Sequence, residues 1–303
     1  MTNSFCKLCG ENKKLQNSHV VPAFAYRWLR ETSGNGFLRS AIMPNKRVQD
    51  GLKFYWLCSD CEQKFSHWET AFSNKIFYPL NQQPHASVQY KKWLLLFCTS
   101  VSWRVLNFHL QEGYLKNFSP TQLEWSHNAL RVWKEFLVGM RPHPDIYEQH
   151  FLPLDALESH SFDHNSMPPN INRYMLRTID IDVAVGENTA FTYTKIGRFI
   201  ILGFLSSPIR KEWVGTKIHV NSGRIHPKTY ILPKTFANYF LGKARRAGSI
   251  LDNISATQQS KIDHAFKQNI DKLANSETFT ALQHDVRMFG RAAFREKEHN
   301  PPE

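Results

Sequence analysis

The 303-residue sequence lacks an apolar run that is long enough to cross a membrane. Its strongest apolar run, Trp93–Cys98, is far shorter than the roughly 20 residues that a spanning helix needs, and it soon meets Arg104. This run therefore predicts a buried helix. Residues 1–14 alternate polar and charged residues with cysteine, without the apolar core of a signal peptide. From these absences we expect a cytoplasmic protein that has no membrane partner.

Acidic residues are scarce relative to basic ones. The chain has 38 Lys and Arg against 26 Asp and Glu, which gives a formal net charge of +12. Because Lys and Arg that neutralise phosphates release condensed counterions, a polyanion is the partner that this charge favours. The alternative is an ordinary basic surface that only aids solubility. With 42% hydrophobic residues and no repeat or low-complexity tract, the chain is expected to fold.

Cysteines are also few, and four of the five form two Cys-x-x-Cys pairs, Cys6 with Cys9 and Cys58 with Cys61. Two intervening residues let both thiols of a pair reach one tetrahedral ion at about 2.3 Å, and two pairs complete a closed site of four thiolates. We therefore predict a structural Zn²⁺. Disulfides are the competing interpretation, but a cytoplasmic chain keeps its thiols reduced. Cys98 stands alone in the apolar run.

The residues around the two pairs predict different local structures. Gly10 follows the first pair and can take the positive φ that turns backbone amides toward thiolates. The second pair follows a predicted strand, residues 53–57, and begins a helix whose apolar residues lie three or four positions apart: Phe65, Trp68, Phe72 and Ile76. The positive end of that helix also favours thiolate. The zinc knuckle formed by residues 6–10, a hairpin and the ligand-bearing helix together make a treble-clef arrangement.

On these residues the chain resembles the zinc-stapled members of the HNH endonuclease family, over about residues 4–70. The matching residues are Cys6, Cys9 and Gly10, the stretch 15–22 around His19, and the stretch 57–62. The resemblance implies a ββα-metal fold in which His19 is the general base that activates water against a phosphodiester. It also implies a metal beside His19 that steadies the scissile phosphate and the leaving oxygen.

The sequence departs from that family's pattern where the catalytic metal is expected. The family usually has Asp, His or Glu at the position of Ser18, and His or Asn at the position of Glu62. Glu62 still supplies an oxygen ligand suited to Mg²⁺ or Mn²⁺. For the family's middle Asn we favour Asp50 over Asn45. Ser18 and Glu69 are further candidates for the shell of the catalytic metal, with Glu69 either a ligand or a carboxylate that supports the ligands.

Each candidate residue also has a structural interpretation. His19, next to a serine and an apolar step, can be a buried and hydrogen-bonded core residue. Glu62 can be the negative charge that any helix favours in its first turn. His67 follows in the same predicted helix and can simply face solvent.

The remaining sequence predicts a helical region, a linker and then a sheet. Residues 88–141 are expected to be helical, with a second helix that begins at Ser119-Pro120 and ends at Gly139. Prolines, histidines and acids over 142–169 indicate a linker. Alternation and apolar runs predict four strands, followed by two helices: strands over 174–184, 190–196, 198–205 and 216–220, and helices over 233–246 and 256–274. A hairpin-type turn is expected at 221–223.

The expected fold class is therefore α+β, in three consecutive domains. Residues 1–82 form the zinc-bound, HNH-like domain. Residues 83–160 form the helical region and linker. Residues 161–303 form a basic antiparallel sheet with helices. Exposed aromatics over 88–141 leave open whether they serve a core, a homodimer or another protein partner.

Basic residues are concentrated near the C-terminal end of the predicted sheet. Between residues 195 and 246 there is one acid, Glu212, against eleven basic residues: Lys195, Arg198, Arg210, Lys211, Lys217, Arg224, Lys228, Lys234, Lys243, Arg245 and Arg246. A DNA or RNA backbone is the ligand that this stretch favours, and a solvated basic surface is the alternative. His219 and His226 flank the predicted turn and are candidate substrate contacts.

Together these features lead to one functional hypothesis and two alternatives. The first is a metal-dependent, HNH-like nuclease that hydrolyses phosphodiester bonds of DNA or RNA, and the resemblance implies a bacterial setting such as phage defence. The second is a treble-clef module without catalysis that binds nucleic acid or a partner protein, which Ser18 and Glu62 favour. The third is a zinc-stapled interaction protein with no nucleic-acid role.

Overall fold

The computed structural model describes residues 4–39, 43–158, 166–186 and 189–294. Its α-helices are α1 Ala23–Glu31, α2 Ser59–Phe72, α3 Tyr78–Gln82, α4 Lys92–Gln111, α5 Pro120–Leu137, α6 Ile171–Arg177, α7 Lys234–Asp252, α8 Ala256–Gln268, α9 Ile270–Ala274 and α10 Glu277–Phe289. Its strands are β1 Ser4–Phe5, β2 Asn12–Lys13, β3 Leu15–His19, β4 Leu38–Arg39, β5 Arg47–Val48, β6 Lys53–Cys58, β7 Val88–Lys91, β8 Gln149–Pro153, β9 Ile179–Val185, β10 Ala190–Ile196, β11 Phe199–Phe204 and β12 Ser222–Ile225. The predicted α+β class is confirmed.

The chain forms two compact units, each assembled from three separate stretches. The first unit comprises Met1–Ala25, Gly51–Pro153 and Ile179–Pro233. The second unit comprises Tyr26–Asp50, Leu154–Thr178 and Lys234–Glu303. The three consecutive domains expected from the sequence group the chain differently, and they stay a prediction about which segments fold independently.

Helix α4 lies at the centre of the first unit. It packs against α2, α5 and the strands β8 to β11, so nearly all of its side chains are buried. The ring of Phe97 stacks on Phe72 of α2 at 4.0 Å between centroids, and Phe72 in turn contacts Phe151 and Phe199 of the sheet. The buried helix predicted at Trp93–Cys98 is thereby confirmed. In the part of the chain that the structure describes, no helix is long and apolar enough to cross a membrane.

A four-stranded antiparallel sheet covers one side of α4, with the strand order β8-β11-β10-β9. Every residue of β10 and β11 is buried. Strand β8 lies inside the stretch 142–169, so the expectation that this whole stretch is a linker is wrong. Strand β8 forms because it pairs with β11, with Phe151 opposite Ile201, and because its side chains enter the core.

Further sequence-based elements differ from the structure. Residues 216–220 form no strand but only an isolated bridge between Lys217 and His150. Residues 88–91 form β7 and not part of a helix. The strand predicted over 174–184 begins only at Ile179, because residues 171–177 form α6. The turn predicted at 221–223 lies mostly in β12, which pairs with β7 in a small sheet of its own. Gly223 permits that pairing, since a Cβ there would lie 2.3 Å from the hydroxyl of Tyr90. The helix predicted over 256–274 is divided into α8 and α9 at Asn269.

The second unit is helical and is built around α6, α7 and α10. Its core contains five buried side chains: Ile171, Tyr174, Met175, Ala244 and Met288. Asp285 is fully buried and accepts hydrogen bonds from the backbone N–H groups of Asn172 and Arg173, at 2.7 and 3.2 Å. Arg173 Nε also donates to Asp285, at 2.7 Å. This carboxylate therefore ties α10 to the first turn of α6.

Candidate functional site

The four paired cysteines meet at one place in the first unit. Cys6 and Cys9 lie in the turn between β1 and β2, Cys58 ends β6, and Cys61 lies in the first turn of α2. The knuckle is closed by a 2.9 Å hydrogen bond from the N–H of Gly10 to the carbonyl of Cys6. Gly10 has a φ of 82°, as its place after the second thiol predicted.

The positions of the four sulfurs suit a tetrahedral metal ion. All four sulfur atoms lie within 4.8 Å of one another. Four ligands about 2.3 Å from a central ion are about 3.8 Å apart, and the sulfurs of Cys9 and Cys58 lie 3.8 Å apart. None of the four is in a disulfide. The positions of these four cysteines therefore fit the prediction of a structural metal such as zinc.

Backbone groups prepare this cluster for negative charge. Burial opposes ionisation of Cys6, but hydrogen bonds from the backbone N–H groups of Cys9, Cys58 and Leu8 lower the pKa of its thiol to about 7. Burial and the neighbouring Cys6 raise the pKa of Cys61. A bound divalent cation would supply the charge that lets all four thiols ionise together. Burial alone raises the pKa of Cys98 far above its usual range, so that thiol is unreactive.

Strand β3 carries Ser18 and His19 beside the start of α2. It pairs antiparallel with β6, placing His19 opposite Lys53, and the register shifts between Gln16 and Asn17. Ser18 is fully buried, and its hydroxyl donates a hydrogen bond of 2.6 Å to Oε2 of Glu62. The structure thus brings Ser18 and Glu62 together. His19 follows Ser18 in the chain, and Glu62 follows Cys61, a candidate metal ligand.

Arg104 of α4 links the backbone of His19 to the second carboxylate, Glu69. Its Nη1 lies 2.8 Å from Oε1 of Glu69 and 3.0 Å from the carbonyl oxygen of His19. Nε of Arg104 donates to the carbonyl of Ser100 at 3.2 Å, and its guanidinium lies 5.1 Å from the ring centroid of Phe65. Only 2% of the Arg104 side chain is exposed.

The charges of this group act on one another. Burial raises the pKa of the Glu69 carboxyl, while the charge and hydrogen bond of Arg104 oppose that rise. Glu62 raises the same pKa further and His19 lowers it. Sequence reasoning missed Arg104 as a site residue. The available signal was a lone arginine inside an apolar helix, because a buried charge needs a partner.

The other residues that the sequence singled out near this group are exposed. Asp50 is exposed and belongs to the second unit, as does Asn45. The side chain of Asn45 is engaged locally, since its amide donates to the carbonyl of Asn253 at 3.1 Å and accepts from the N–H of Ser255 at 2.8 Å. His67 is exposed on α2. Hydrogen bonds thus link Ser18 to Glu62, and Arg104 to Glu69 and to the backbone of His19. A catalytic role of Asp50 stays a prediction.

The predicted nucleic-acid contacts fall into both units, and Lys195 must be removed from them. Lys195 lies in the interior strand β10, is fully buried, and donates a hydrogen bond to the carbonyl of Gly197. It is therefore not available to phosphate. Lys217 is ion-paired with Glu148, and Arg198 is partly buried. The side chain of Arg210 lies outside the described residues. Of the others, Lys243 is partly buried and the rest are exposed: Lys211, Arg224, Lys228, Lys234, Arg245 and Arg246.

The first unit thus combines a cluster of four thiols with an adjacent group of one imidazole, two carboxylates and one guanidinium. The thiols can hold a structural metal, because their spacing and burial suit a closed site. The adjacent group offers carboxylate oxygens and an imidazole, on residues that the hydrogen bonds of Ser18 and Arg104 hold in place. The sequence gives no match to a protein-family model, to a curated protein or to a solved structure.

Proposed function

We propose that the chain is a metal-dependent nuclease of the HNH type that hydrolyses phosphodiester bonds of DNA or RNA, with a zinc-stapled treble clef as its scaffold. The observation that carries this proposal is the 2.6 Å hydrogen bond between Ser18 and Glu62. It holds the strand that bears His19 against the carboxylate that follows Cys61. A base and a metal-binding carboxylate must lie side by side for hydrolysis of this kind.

His19 is the residue to which we assign the general base. Its partly buried imidazole can take a proton from water, and the hydrogen bond from Arg104 to its carbonyl fixes its backbone. Arg104 is therefore a positioning residue. Glu62 and Glu69 would hold Mg²⁺ or Mn²⁺, since carboxylate oxygens are the ligands these ions prefer. When bound, the ion supplies positive charge beside the phosphate.

Exposed basic side chains support a polyanionic substrate. In the first unit these are Lys211, Arg224 and Lys228, and in the second unit Arg245 and Arg246. Side chains of this kind bind the sugar-phosphate backbone irrespective of sequence, with an affinity that falls as salt rises. They therefore favour a nucleic acid over a small neutral substrate.

The proposal is tested by assaying cleavage of single- and double-stranded DNA and RNA with Mg²⁺ or Mn²⁺. We expect His19→Ala to reduce the rate by about 10²- to 10⁴-fold, the usual contribution of a general base. His67→Ala is the matched control, because His67 is exposed on α2, and it should cleave normally. Zinc content should be equal in all three proteins. Undiminished cleavage by His19→Ala would remove His19 from the mechanism.

One observation favours a second function, a zinc-stapled module that binds nucleic acid without cleaving it. Both carboxylates already have protein partners, Glu62 the hydroxyl of Ser18 and Glu69 the guanidinium of Arg104. Each of these contacts occupies a lone pair that a metal ion would otherwise use. Salt-sensitive binding of DNA or RNA, together with no cleavage in any divalent metal ion, would decide for this function.

A further inference from the structure

A cavity of 530 Å³ lies in the first unit, away from the cysteines and from His19. Its walls come from β7, β8 and β12 and from the chain between Pro208 and Tyr230. His219 and His226, which the sequence suggested as substrate contacts, both line it. A volume of roughly 300–1,000 Å³ is typical of sites for small molecules and cofactors.

The lining of this cavity carries an excess of positive charge. Three basic residues line it, Lys217, Arg224 and Lys228, against a single acid, Glu148. Glu148 is 11% exposed, forms an ion pair with Lys217, and lies 3.4 Å from Nε2 of His150. Burial opposes its ionisation, yet those two partners lower the pKa of Glu148, so its charge is already matched. Arg224 and Lys228 are exposed, and they favour an anionic ligand.

The same cavity has aromatic walls formed by Tyr90, Trp213 and Tyr230. Tyr230 is partly buried, and Nζ of Lys228 lies 5.6 Å from its ring centroid. Burial raises the pKa of Tyr230 to about 12, so it remains a neutral phenol that can donate a hydrogen bond. A cation beside an aromatic ring is the combination with which proteins bind a phosphate and an adjoining base.

The cavity is formed before any ligand binds. The hydroxyl of Tyr90 accepts a hydrogen bond of 3.1 Å from the N–H of His219, which fixes the loop that leads into β12. Nδ1 of His150 lies 2.6 Å from Oγ1 of Thr216, and that hydroxyl donates to the carbonyl of Trp213. Such prearranged walls reduce the ordering cost of binding.

We propose that this cavity binds a nucleotide, with the phosphate held by Arg224 and Lys228 and the base placed against Tyr230. Neither a bare phosphate nor an uncharged nucleoside would use both the cations and the aromatic wall. The ligand can be a free nucleotide or the phosphorylated end of a nucleic acid strand, because both present the same chemistry. The site shares no residue with the group around His19 and does not depend on the nuclease proposal.

Isothermal titration of the full-length chain tests this assignment with four probes: adenosine monophosphate, inorganic phosphate, adenosine, and a short oligonucleotide with or without a 5′ phosphate. We expect adenosine monophosphate to bind about tenfold more tightly than phosphate or adenosine. Tighter binding of the phosphorylated oligonucleotide than of the free nucleotide identifies a strand end as the source. Equal binding of inorganic phosphate, or no binding of any nucleotide probe, would overturn the proposal.

Single substitutions test which residues of the cavity hold the nucleotide. Arg224→Gln and Lys228→Gln should each weaken nucleotide binding about tenfold. Lys116→Gln is the matched control, because Lys116 is exposed in the same unit but does not line the cavity. Tyr230→Leu should bind adenosine monophosphate no more tightly than inorganic phosphate, whereas Tyr230→Phe should keep the tighter binding of the nucleotide. His19→Ala should bind nucleotide normally, so failure of the nuclease proposal is distinguished from failure of this one. An equal loss in Lys116→Gln contradicts the assignment.

Discussion

The hydroxyl of Ser18 donates to Oε2 of Glu62 across 2.6 Å, joining a buried strand residue to the first turn of the helix that carries Cys61. The contact joins β3, the strand that carries His19, to the carboxylate that follows Cys61. A serine here supplies a donor, where the resembling family usually has a metal ligand. Ser18 therefore fixes the position of the Glu62 carboxylate without adding a negative charge.

Replacing Ser18 with Ala should lower the free energy of unfolding by about 1–3 kcal/mol, since it leaves a partly buried carboxylate without its donor. Urea denaturation followed by circular dichroism measures the change. Ser66 is an exposed serine on α2, the helix that carries Glu62. Ser66→Ala should therefore change the free energy of unfolding by less than about 0.5 kcal/mol. Equal stability of the Ser18 variant and the wild type would show that the hydrogen bond contributes nothing net.

Cys58→Ser should abolish stoichiometric zinc binding and lower the Tm, because three thiols no longer close the tetrahedral site. Metal content by mass spectrometry and calorimetry measure both effects. Cys98→Ser is the matched control, since Cys98 is buried in α4 and belongs to no metal-ligand group in the described chain. We expect that control to retain one zinc ion per chain. Full zinc content in Cys58→Ser would contradict the assignment of the ligands.

Arg104→Leu should destabilise the first unit by about 3–5 kcal/mol, because the Glu69 carboxyl loses its ion-pair partner and must either stay charged without it or take up a proton. The double variant Arg104→Leu with Glu69→Leu should recover much of that loss. A double-mutant cycle from denaturant unfolding gives the coupling energy. Additive effects of the two single substitutions would show that the ion pair seen at 2.8 Å is not energetically coupled.

Acid should destabilise the protein in part through His150. Burial lowers the pKa of His150 in the folded state below its ordinary 6.5, although Glu148 opposes this shift. The unfolded chain therefore binds more protons below about pH 6.5, and the free energy of unfolding falls as the pH is lowered through that range. His150→Gln should show a shallower fall between pH 7 and 5. His226→Gln, an exposed histidine, should keep the wild-type slope.

Local signals in the sequence identified the elements that depend on near neighbours. Helix α5 begins at Pro120 as predicted, because Ser119 accepts from the N–H of Gln122 and the side chain of Gln122 accepts from the N–H of Ser119. The four thiols come together as their spacing predicted. The strand and helix around Cys58 follow their apolar periods, so they too were predictable.

Elements defined by distant partners were not predictable in this way. Strand β8 lies among prolines and histidines and is a strand only because β11 pairs with it. Residues 174–177 begin the alternating pattern yet belong to α6, whose first turn is capped by Asp285, more than a hundred residues away. The link from Arg104 to the carbonyl of His19 likewise joins residues 85 positions apart.

The discontinuous construction of the first unit has a consequence for synthesis on the ribosome. A nascent chain released at about residue 82 already has all four sulfurs, yet α4 and the sheet that cover Phe72 have not been made. The core can close only after Phe204, the last residue of β11, has left the exit tunnel. Until then, the four cysteines lie beside an uncovered apolar surface, so a chaperone would protect the nascent chain most in this interval.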